Sequence, residues 1–107
     1  MKAEDFIVVF VTVGNEEEAL KIARHVVENR LAACTNIVPG IRSIYRWKGE
    51  ICDDKEFLCI MKTKKSLFPR LKDAIKQLHS YEVAEIIAVS LADGVEDYLK
   101  WLQEETL

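Results

Sequence analysis

No CxxC pair occurs in these 107 residues. The three cysteines, Cys34, Cys52 and Cys59, are odd in number and too widely spaced for a zinc or dithiol motif, so neither a zinc ribbon nor a thioredoxin-like enzyme is indicated. No apolar run reaches the ~18 residues of a membrane span. The opening MKAEDF carries two acids where a secretory leader would build its apolar core. A basic stripe is also missing. The 15 Lys and Arg are scattered among 18 Asp and Glu, for a net charge of −3, which argues against nucleic acid as a partner. There are no repeats, low-complexity tracts or linkers. With 50% hydrophobic and 31% charged residues, the composition is that of one globular domain, residues 1–107. It is expected in the cytoplasm with reduced thiols and with no membrane or nucleic-acid partner.

The elements follow from hydrophobic period. FIVVFVTV (6–13) is a β-rich run with Thr12 its only polar member, broken by Gly14. Asn15 and Glu18 have capping-box spacing. Ala19, Ile22, Ala23, Val26 and Val27 recur at helical intervals, predicting a helix over 16–30 whose acidic first turn suits the helix dipole. LAACTNIVPGIRSIYRW is a strand kinked at Pro39-Gly40. Lys48-Gly49 makes a two-residue hairpin turn, and EICDDKEFLCIMKTK (50–64) returns. Ser66 caps a second helix, with Pro69 in its first turn and Leu67, Leu71, Ala74, Ile75 and Leu78 on its buried stripe. EIIAVSLA (85–92) is the fourth strand. Asp93 and Glu96 repeat the capping-box spacing before a last helix with the stripe Val95, Tyr98, Leu99 and Leu102. The order predicts an α+β, ferredoxin-like βαββαβ domain: an antiparallel sheet with both crossover helices on one face, plus an extra C-terminal helix.

One helical layer covers one sheet face, yet these strands are apolar on both. Phe6, Val8 and Phe10 oppose Ile7, Val9, Val11 and Val13. Phe57, Cys59 and Met61 oppose Leu58 and Ile60, and Ile86 and Ala88 oppose Ile87, Val89 and Leu91. An apolar face of that size marks an interaction surface, so self-association through the sheet is expected, a ring or trimer with sheets turned inward. The long 41–60 hairpin offers a strand edge for pairing with a neighbour. Tyr45 and Trp47 share one side of it and read as interface anchors.

ENRLAACTNIVPGIRSIYRWKGEI (28–51), MKT (61–63), LHSYEVAEII (78–87) and DYLKWL (97–102) resemble, in order and spacing, the CutA divalent-cation-tolerance family over about residues 6–103. The resemblance implies a homotrimer of ferredoxin-like domains, related in shape to the PII signalling proteins. It implies no enzyme activity, but a role in the response to copper or other divalent metal ions. The residues proposed as metal ligands in the family match Cys34, His79 and Glu85 here, and the family's cleft between subunits suggests Lys62, Tyr81 and Glu82 as lining. The chain departs from the family's His-Pro-Tyr-Glu-x-Pro-Glu pattern by carrying Ser80 and Ala84 where prolines are common. Losing two prolines predicts a less pre-organised loop.

Each candidate has a plainer alternative. His79 is either a ligand for copper or zinc or a histidine favoured at a helix C-terminus. Cys34 is either a soft ligand or a small buried residue. Cys59 reads as core, Cys52 as exposed, His25 as solvated, and DDKE (53–56) as a solvated strand end. The competing function is a PII-like sensor taking a small anion or metabolite at subunit clefts. An RNA-recognition domain would need its aromatic strand signature. An acylphosphatase-like enzyme would need an anion loop where VGNEEE places acids. A cysteine hydrolase would need an oriented histidine beside the thiol.

Overall fold

Alternation along the strands builds the architecture. In the computed structural model, which describes residues 1–107, β1 (Phe6–Val13), β2 (Cys34–Trp47), β3 (Glu50–Lys64) and β4 (Ile86–Ser90) form one sheet. Its order is β2-β3-β1-β4, and every neighbouring pair is antiparallel. Helix α1 (Glu16–Glu28) joins β1 to β2, α2 (Phe68–Leu78) joins β3 to β4, and α3 (Glu96–Glu105) follows β4. Ile7, Val9, Val11 and Val13, with Cys59 and Met61, pack against Ile22 and Val26 of α1 and Leu71 and Ile75 of α2 in one buried cluster. Each such aliphatic side chain, fully buried, contributes about 1.5–3 kcal/mol.

The opposite face is also apolar and largely uncovered. The register sets Phe10 between Ile60 and Ile87, Val8 beside Val89, and Val38 beside Leu58. Helix α3 covers only one end, where Leu99 and Leu102 bury Phe6. Ile87 and Val89 remain 54% and 51% exposed. Val95 and Tyr98, expected on the buried stripe of α3, are exposed, so this helix closes less of the sheet than its sequence pattern implies.

The β2–β3 hairpin runs from Cys34 opposite Lys62 to Trp47 opposite Glu50, with a bulge between Val38 and Ile41 where Gly40 has φ 74°. Lys48 (φ 49°) and Gly49 (φ 81°) both take the left-handed conformation, the geometry that matches the twist of a two-residue hairpin. β1 pairs with β3 only from Phe57 to Lys64, so the 50–56 edge is free.

Helix ends depart from expectation for local reasons. α1 stops at Glu28 because Arg30 turns left-handed (φ 59°). The Arg30 amide bonds Val27 O at 3.0 Å and the Leu31 amide bonds Val26 O at 2.9 Å, a Schellman closure. Ser66 does not cap α2. It lies in a 3-10 turn, Lys65–Leu67, which delivers Leu67 as an N-cap without a side-chain bond. Asp93 does not cap α3 either. Its Oδ1 takes the adjacent Gly94 amide at 2.8 Å, and Val95 is the N-cap. Strand β4 is shorter than expected, Ile86–Ser90.

Candidate functional site

Asn15 caps α1 as its spacing predicts, its Oδ1 accepting the Glu18 amide at 2.8 Å. Glu18 does not reciprocate. Its buried carboxylate reaches instead to the segment after α2, accepting the Ser80 amide on Oε1 and the Ser80 hydroxyl on Oε2 at 3.0 Å. Beside it His79, its side chain 1% exposed, donates from Nε2 to Thr12 O at 2.6 Å and accepts the Tyr81 amide on Nδ1 at 3.1 Å. With the proton on Nε2, Nδ1 has none to offer Glu18, and their 3.9 Å approach is a contact without an ion pair. Residues 79–81 are therefore tied to β1 and α1 by hydrogen bonds. Ser80 supplies two donors where a proline would supply none.

Tyr81 is placed by this frame. Its ring packs against His79, with centroids 4.8 Å apart, and lies over Gly14, where a Cβ would come within 2.9 Å of the Tyr81 hydroxyl. That hydroxyl donates to Glu56 Oε2 at 2.7 Å. Burial first, and the bond to Glu56 second, push the Tyr81 phenol well above its ordinary range. Glu56 is only 5% exposed. It corrects the reading of DDKE as a solvated strand end: Asp53 and Asp54 are exposed, but Glu56 shares a strand face with Leu58 and turns inward.

Thr12, Glu56, Ser80 and Tyr81 line a cleft of about 800 Å³ between the hairpin and the 80–85 segment. Arg42, Tyr45, Trp47, Glu82 and Glu85 complete its walls. Arg42 clamps Asp53 with two bonds, 2.8 and 2.7 Å. The Asp54 carboxylate accepts the Tyr45 hydroxyl and, as the main cause, raises that phenol to about 12. Lys48 pairs with Glu82 at 3.5 Å and lies 5.5 Å from the Trp47 ring centroid.

The three residues matched to family metal ligands are not gathered within one chain, which holds no cluster of three His, Cys, Asp or Glu suited to a metal ion. Glu85 faces the cleft, and His79 lies beneath it with both nitrogens engaged. Cys34 is half-buried at the start of β2, its thiol 3.8 Å from Asn36 Oδ1, to which Lys62 also donates. Tyr81 and Glu82 line this cleft within one chain, and Lys62 lies outside it.

The CutA1 divalent ion tolerance protein family matches residues 7–105. The chain belongs to the CutA1 family. It is 54% identical over 99 residues to the divalent-cation tolerance protein CutA of Thermus thermophilus, covering 92% of this chain and 96% of that protein. The solved Thermus structure superposes with a TM-score of 0.93 at 52% identity, over 95% of this chain and 99% of that one. Human protein CutA is 52% identical over 91% of this chain, which spans only 54% of the human protein's length. The solved CutA from Archaeoglobus fulgidus, named periplasmic, is 36% identical with a TM-score of 0.91, over 94% of this chain and 97% of that one. A relative in Arabidopsis thaliana is named chloroplastic, so membership of the CutA1 family does not fix the compartment. None of these names is that of an enzyme, and the CutA matches do not favour the PII-like reading. No helix is long and apolar enough to cross a membrane.

Proposed function

We propose that the protein is a non-enzymatic divalent-cation tolerance protein, working as a homotrimer of ferredoxin-like subunits and binding copper or another divalent ion. The observation that supports the trimer most directly is the uncovered apolar face around Phe10, Ile60, Ile87 and Val89, which α3 leaves open. Three copies with these faces turned inward would remove it from water, and the free 50–56 edge offers pairing to a neighbour. Three free thiols suit a reducing compartment such as the cytoplasm.

For the cation we assign the soft donor to Cys34, on the face where copies would meet, with thiolate chemistry that selects Cu(I) or Zn. Glu85 is a carboxylate within reach of solvent, whereas His79 becomes a ligand only by giving up Thr12 or Tyr81. The proposed site is completed by a second copy, since one chain does not bring the three donors together. The test is calorimetric titration of Cu(I) and Zn into the reduced protein. Cys34→Ala is expected to weaken binding at least about tenfold, because it removes the one soft ligand. Binding equal to that of the unmodified chain would overturn the assignment.

A further inference from the structure

We draw no further inference here: the strongest candidate, the small pocket between α2 and residues 81–86 where Lys72 and Lys76 stand without an ion-pair partner, borders the outer edge strand β4, and nothing in the structure shows what covers that edge.

Discussion

The Tyr81 hydroxyl reaches Glu56 Oε2 across 2.7 Å, joining the loop after α2 to the middle of β3. The bond gives a buried carboxylate its one donor, and it exists because Gly14 leaves room for the ring. Removing the hydroxyl while keeping the ring isolates that bond. Tyr81→Phe is expected to cost about 1–3 kcal/mol in urea denaturation, because Glu56 stays buried without its donor. Gly14→Ala should act through the same contact, since the new Cβ would press on the Tyr81 hydroxyl. Its cost should shrink in the Tyr81→Phe background, and full additivity would show the two sites to be unconnected.

Ser80 carries a second prediction. Its amide and hydroxyl both bond the buried Glu18 carboxylate. Ser80→Pro, although it moves the sequence toward the family pattern, removes both donors and is expected to destabilise by about 1–3 kcal/mol. Ser80→Ala removes one and should cost less. A Ser80→Pro variant more stable than the unmodified chain would contradict the role given to Glu18.

The strands and the apolar faces were legible in the sequence because they rest on a period that any stretch displays locally. Pro39-Gly40 and Lys48-Gly49 were legible for the same reason, since bulge and turn depend on the backbone freedom of the residues at that point. Side-chain partners were not. Glu18 has the spacing of a capping box, but its partner is Ser80, 62 residues away, and no local pattern reports that. Ser66 and Asp93 are residue types that favour caps, yet a 3-10 turn and an adjacent glycine amide claim those positions. Glu56 sits in a charged run that reads as solvated. The alternation Asp54, Glu56, Leu58 along β3 was the one signal that Glu56 leaves solvent where the sheet widens to include β1.

Alkaline pH should draw out protons that the fold holds. Burial raises the Cys59 thiol from 9.0 to about 11. The bond to Asp54 raises Tyr45 from 10.0 to about 12. Tyr81 is pushed up in the same direction, by burial first. The folded state holds these protons more tightly than the unfolded chain, so the stability they lend is complete below about pH 9 and is lost as pH climbs through the raised values. Melting temperature is expected to fall steadily above pH 9, and Cys59→Ala should flatten the portion between 9 and 11. An unchanged slope in that variant would show the thiol to be uninvolved.

Arg30 holds a left-handed conformation that glycine would take without strain, and its side chain accounts for its presence there. The guanidinium bonds the carbonyls of Glu104 and Glu105 at the end of α3, and the Leu107 amide returns to Arg30 O. Arg30→Ala keeps the strain and loses the clamp, with an expected cost of about 1–2 kcal/mol. Arg30→Gly loses the clamp but relieves about 1 kcal/mol of strain. Thermal unfolding should therefore place the glycine variant between the alanine variant and the unmodified chain. Equal losses in both would mean the backbone strain is negligible.

The central claim is that the sheet face around Phe10, Ile60, Ile87 and Val89 is closed by copies of the same chain. Sedimentation equilibrium of the reduced protein tests it most directly. The account predicts a single species of three times the 12.3 kDa chain mass, split into smaller species by Ile87→Lys or Val89→Lys. A 12.3 kDa monomer that persists across the concentration range would contradict it.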